Sequence, residues 1–173
     1  MLMIAVLVMT VTGNAQGQEK TKYIGNKPRE GSSNSSINII KGEQHGIMMK
    51  AGSKPVQLLN LNFGVDHPGS KKLRFKVNVY EFNGILSGEN FVKEVITGEI
   101  PTGKSRVNVD LRPYNLIVKR KILVTIEWLE TVNDANPHFA IGILNGGSYE
   151  FTGGKWKRIP VVGFDFNITV KKV

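Results

Sequence analysis

Residues 106–130 read RVNVDLRPYNLIVKRKILVTIEWLE, and the reading of this stretch decides the fold class. Val107, Val109 and Leu111 alternate with Asn108 and Asp110; further on, Ile122, Val124, Ile126 and Trp128 alternate with Leu123, Thr125 and Glu127. Successive side chains of a strand point to opposite faces, so a period of two marks strands rather than helices. Between the two runs, Pro113 has no N–H to give to a ladder, which makes Arg112-Pro113-Tyr114 a corner. Tyr114 at such a corner is expected to pack its ring and bond backbone through its hydroxyl. Trp128 is in phase with Ile126 and is expected in the core.

The same period recurs outward from this stretch. Leu59, Leu61 and Phe63 alternate with Asn60 and Asn62, and Leu73, Phe75, Val77 and Val79 with Arg74, Lys76 and Asn78. Phe139, Ile141 and Ile143 follow, and Phe164, Phe166, Ile168 and Val170 close the chain. Breakers separate these runs at Asp66-His67-Pro68-Gly69, Asn83-Gly84, Pro101-Thr102-Gly103, Asn145-Gly146-Gly147 and Gly153-Gly154. No window carries a convincing amphipathic helix, with short helical turns allowed near Ser87 to Phe91. The expectation is an all-β, two-sheet antiparallel β-sandwich over residues 36–173, with jelly-roll and Ig-like topologies both open.

Upstream, MLMIAVLVMTVTGNAQ is apolar, carries no charge before Glu19 and ends in small residues around Gly13-Asn14-Ala15. This is the pattern of a signal peptide over residues 1–15, although no Lys or Arg precedes the apolar run. The run is shorter than the ~20 residues a spanning helix needs, and no later segment approaches that length. Residues 16–35 are polar apart from Tyr23 and Ile24, and are read as a mobile, dispensable leader. An exported protein is implied, in the periplasm, on the outer membrane surface or outside the cell.

The chain has no cysteine, so packing alone must hold it and no lipid-modified cysteine can anchor it. Its net charge of +9 favours anionic partners, a glycan or an anionic envelope polymer, over neutral ones. Lys and Arg are spread over most strands rather than packed in one run, which gives no groove specific for nucleic acid.

Catalytic patterns are scarce. There is no Gly-x-Ser-x-Gly elbow and no His-Glu-x-x-His pair, and His45, His67 and His138 lack ligand spacing. Asp66-His67 and Asn133-Asp134-Ala135-Asn136 are oxygen-rich, yet neither follows a calcium-loop pattern. Asp110 and Glu127 could form an acid pair across neighbouring strands, but the nearby Arg112, Lys119, Arg120 and Lys121 make surface charge pairing the better account. No metal, no cofactor and no enzymatic activity are expected.

The most site-like stretch is Phe151-Thr152-Gly153-Gly154-Lys155-Trp156-Lys157-Arg158. A Trp face stacks on sugar rings, and Lys155, Lys157 and Arg158 beside it would hold anionic groups. The competing reading is a hairpin tip whose Trp156 folds back over the sheet among solvated cations.

LRFKVNVYEF (73–82), VNVDLRPYNLIV (107–118) and ILVTIEWLE (122–130) together resemble the β-sandwich domain of bacterial envelope proteins that usually follows a carboxypeptidase-like regulatory domain. The resemblance implies an exported, non-catalytic envelope protein with a binding or structural role. The alternative reading is a carbohydrate-binding module that uses the Trp156 loop.

Overall fold

A computed structural model describes residues 20–28, 34–84, 88–133 and 136–173. The expected signal peptide lies outside them. Twelve strands account for the elements: β1 (Thr21–Gly25), β2 (Asn34–Ser36), β3 (Gln44–His67), β4 (Leu73–Glu81), β5 (Ile96–Ile100), β6 (Gly103–Asp110), β7 (Ile117–Trp128), β8 (His138–Ile143), β9 (Ser148–Thr152), β10 (Lys155–Ile159), β11 (Val162–Phe164) and β12 (Asn167–Lys172). Among the described residues the one helical element is a 3-10 turn, Arg112–Tyr114, which is the corner expected at Pro113. Tyr114 packs against the core there, but its hydroxyl makes no hydrogen bond among the described residues.

All pairings are antiparallel, and the strands join into one curled sheet along the path β1-β12-β3-β7-β4-β5. The curl originates in β3. Its first part, Gln44–Lys50, pairs with β7, and Gln44–Gly46 pair with β9 on the other side, whereas its second part pairs with β12, β6 and β8. The register slips between Lys50 and Gly52, and again between Gly52 and Val56. Gly52 (φ 102) faces Arg120 (φ 63) at this bend, so both strands turn through left-handed backbone together. Glycine adopts that region freely, whereas Arg120 does so at a cost.

The bend brings rings from the two parts of the sheet together. Phe63 of β3 meets Phe75 of β4 at 5.7 Å between centroids and Phe166 at 4.7 Å; Phe139 of β8 meets Trp128 of β7 at 6.2 Å. Such pairs add about 0.5–1.5 kcal/mol each to the area they bury. Trp128 is fully buried, as its phase requires.

One expectation is corrected here. Thr21–Gly25, assigned to the mobile leader on composition, is a strand with five paired positions on β12 and a buried Ile24. Asn26 extends the attachment by donating from Nδ2 to the Phe164 carbonyl at 2.6 Å. Two apolar residues in a polar segment suffice because β12 offers an open ladder edge that needs backbone partners, whatever the side chains.

Candidate functional site

Gly153 (φ 57) and Gly154 (φ 76) form the two-residue turn that joins β9 to β10. Two successive left-handed residues match the twist of a hairpin, and glycine takes them without strain. The register sets Trp156 opposite Phe151, and Arg158 opposite Tyr149. The pleat then divides the basic cluster. Trp156 and Arg158 share one face, while Lys155 and Lys157 project from the other, with Lys157 opposite Glu150. The cluster expected around Trp156 is thus not a single patch of three cations.

Carried across the sheet, the row through Trp156 continues to Phe151 on β9, Gln44 on β3, Glu127 on β7 and Lys76 on β4. The neighbouring row runs from Arg158 through Tyr149, Gly46 and Thr125 to Asn78. This is the polar face of strands whose other face builds the core, yet Gln44, Thr125 and Asn78 are buried. The segment after β4 folds over them: Phe82 packs edge-on against Tyr149 at 5.4 Å, and Asn90 bridges to Tyr80.

Burial of polar side chains costs about 1–3 kcal/mol for each group left unpaired, and apart from Gln44 Nε2 these groups are paired. Gln44 Oε1 accepts from Thr125 Oγ1 at 2.8 Å, Tyr80 OH at 3.1 Å and Asn78 Nδ2 at 3.3 Å. Asn78 Nδ2 also donates to Glu127 Oε2 at 3.0 Å, and Asn90 Nδ2 donates to Asn78 Oδ1 at 3.0 Å. The other carboxylate oxygen of Glu127 meets Lys76 Nζ at 2.8 Å. Gln44 Nε2 makes no protein hydrogen bond among the described residues, so its two N–H groups can serve a guest.

Where this network reaches the hairpin there is a pocket of about 190 Å³, lined by Gln44, Tyr80, Glu81, Gly88, Leu123, Phe151 and Trp156. Trp156 stands 5.3 Å from Phe151 and 6.0 Å from Tyr80, edge-on to the latter. Burial raises the Tyr80 phenol above its ordinary pKa, so it remains a neutral donor and acceptor. The site therefore offers aromatic faces, an amide, a phenol and one lining carboxylate. Its volume is below the ~300 Å³ of a drug-sized site and suits a single ring-sized guest.

Of the stretch singled out in the sequence, Trp156 and Phe151 line this pocket, and Lys155, Lys157 and Arg158 do not. Gln44, Tyr80 and Asn78 carry no motif; their one sequence signal is a polar residue at an outward strand position. The carboxylates weighed as an acid pair are separated. Asp110 lies opposite Asn60 and Glu127 opposite Gln44, well apart along β3. Arg112 holds Asp110 with two bonds of 2.8 Å and lowers its pKa to about 2.

Beneath the hairpin, the buried His45 ring packs 6.3 Å from Trp128, and its Nδ1 is 3.8 Å from Glu150 Oε1. That exceeds hydrogen-bond length but still favours the carboxylate, and the Glu150 pKa is lowered chiefly by His45. Among the described residues no group of three or more His, Cys, Asp or Glu is placed to hold a metal, and no helix is long and apolar enough to cross a membrane. The oxygen-rich loop at Asn133–Asn136 falls partly outside those residues.

No family model and no curated protein matches the chain. Among solved structures it is similar to the cysteine protease and lectin-like domains of Cwp84, a surface layer associated protein of Clostridium difficile. The identity is 17% and the TM-score 0.54, over 78% of this chain and 33% of that one. The chain thus spans about a third of that structure's length, and the likeness is one of all-β fold.

Proposed function

We propose that the curled sheet is a two-layer β-sandwich that serves as an exported, non-catalytic binding domain of the bacterial envelope, and that its pocket beside Trp156 takes a saccharide ring. The observation that carries the reading is the union of two features at one place: the Trp156, Phe151 and Tyr80 rings, and a buried amide network with free donors on Gln44. Stacking rings and fixed polar groups are complementary to the two faces and the hydroxyl rim of a sugar. The lining holds one carboxylate, Glu81, where glycoside hydrolysis uses two, and the chain has no cysteine for thiol chemistry. The lectin-like description of the Clostridium difficile structure, the envelope-domain resemblance and the apolar N-terminal run all favour the same reading.

Saccharide titrations into wild type and Trp156→Ala, guided by a glycan array, test it. Loss of a stacking ring is worth about 1–3 kcal/mol, so binding should weaken by about five- to 150-fold. Melting should change little, because β10 is an edge strand paired with β9 alone. A destabilised variant that still binds its saccharide contradicts the proposal.

A further inference from the structure

The cations that look dispersed in sequence are gathered by the fold. Along the path β1-β12-β3-β7, the neighbouring strands carry Lys22, Lys172, Lys50 with Lys54, and Lys119 to Lys121. All are exposed, and each is tied to the bend of β3. Lys50 and Arg120 flank it through the Lys50↔Lys121 and Gly52↔Arg120 pairs, and Lys172 is opposite Val56. Lys22 Nζ reaches the Ala51 carbonyl at 3.5 Å.

No acidic residue occurs in β1, in β12, between Gly46 and Val65 of β3, or between Ile117 and Ile126 of β7. None of these seven cations forms an ion pair with a described residue. Across the β7–β4 ladder, Glu81 lies opposite Ile122.

Two details set the stripe apart from an ordinary solvated face. Lys50 and Lys121 are direct cross-strand partners, and like charges placed so are destabilising. Arg120 occupies left-handed backbone, where glycine or asparagine would be easier. Beside them runs an open groove of about 490 Å³, with Lys22, Lys50, Tyr23, Asn26 and Asn145 among its lining residues. Tyr23 is 74% exposed, so its ring is available to a guest.

We propose that this stripe and groove form a second site, separate from the Trp156 pocket, that binds one extended chain of an acidic polysaccharide. Adjacent strands are ~4.8 Å apart, so Lys50 and its cross-strand partner Lys121, with Lys22 on the same groove as Lys50, begin a track that carboxylates on successive sugar units can follow. An extended chain of carboxylates complements unpaired cations on successive strands, and a DNA duplex and a bilayer surface are the alternatives that the binding experiment separates. A single-stranded nucleic acid would want a run of stacking rings, and the groove lining supplies only Tyr23.

Polygalacturonate is the probe, measured against the intact protein at 50 and 300 mM NaCl. Binding should weaken at the higher salt, since exposed charges are screened within about 8 Å at physiological ionic strength. Lys50→Ala/Lys119→Ala/Lys121→Ala should lose at least tenfold in affinity with its melting temperature kept or raised. Arg120→Gly should bind more weakly and melt higher. Trp156→Ala should bind polygalacturonate as wild type does, which separates this site from the pocket. Unchanged binding by the triple variant overturns the proposal. So does tighter binding of a 24-base-pair DNA duplex, or of phosphatidylglycerol vesicles, than of the polysaccharide.

Discussion

Gln44 shows how much one side chain can hold. Its Oε1 is the shared acceptor of three donors from β4 and β7, and two of those donors, on Asn78 and Thr125, belong to buried residues. Gln44→Ala removes the acceptor while its donors stay in place. With about 1–3 kcal/mol for each buried group left unpaired, thermal unfolding should show a loss of roughly 2–6 kcal/mol; a loss below ~0.5 kcal/mol would mean that water substitutes freely. Glu150 gives a pH signature. Its folded pKa is below the ordinary 4.5, so its contribution is present above that pH and is lost as pH falls through the depressed value. Glu150→Gln should therefore flatten the acid limb of the stability profile below pH 4.5. Melting curves in 0.5 M NaCl suppress the exposed pairs Asp110–Arg112 and Glu89–Lys93, which titrate in the same direction. At this scale the sequence was informative about Trp128, whose phase puts it in the core, and silent about Gln44. The donors that define Gln44 come from positions distant in the chain, and no local period encodes such a meeting.

At the scale of elements, alternation marks β4, β6, β7 and the second part of β3, because each has one face on the core. The first part of β3 escapes the rule. Gly52 and Pro55 interrupt any alternation there, and the strand runs through them by bending, with its register shifts opposite Arg120. Strand β1 escapes it too, being held by its ladder with β12 and one buried side chain. That makes the polar N-terminal segment structural over residues 21–26. Proteolytic or genetic removal of residues through 28 should cost the Ile24 burial, about 1.5–3 kcal/mol, together with the β12 ladder. For a domain of this size that corresponds to a fall in melting temperature of at least ~5 °C. Removal through residue 19 supplies the comparison, since it leaves β1 whole. Equal melting of the two truncated forms would show that β1 adds nothing.

At the scale of the whole molecule, both candidate surfaces arise from curling. The bend of β3 sets Lys50 opposite Lys121 and beside the groove it shares with Lys22, and the fold-back after β4 turns a polar sheet face into a pocket wall. Composition signals an affinity for anions, but a net charge has no position until the strands have an order. The hairpin glycines signal that Trp156 projects from a turn, but not that Tyr80 and Gln44 wait beside it. The protein carries two tryptophans, and they supply their own control: Trp128 is fully buried, while Trp156 lines the pocket. The indole N–H resonances of 15N-labelled protein, followed through titration with a panel of neutral and acidic saccharides, test the central claim most directly. A saturable shift of the Trp156 indole, with that of Trp128 unmoved, is the predicted result. A Trp156 signal that stays fixed across the panel at millimolar saccharide, in a protein that still melts cooperatively, would contradict saccharide binding at this pocket.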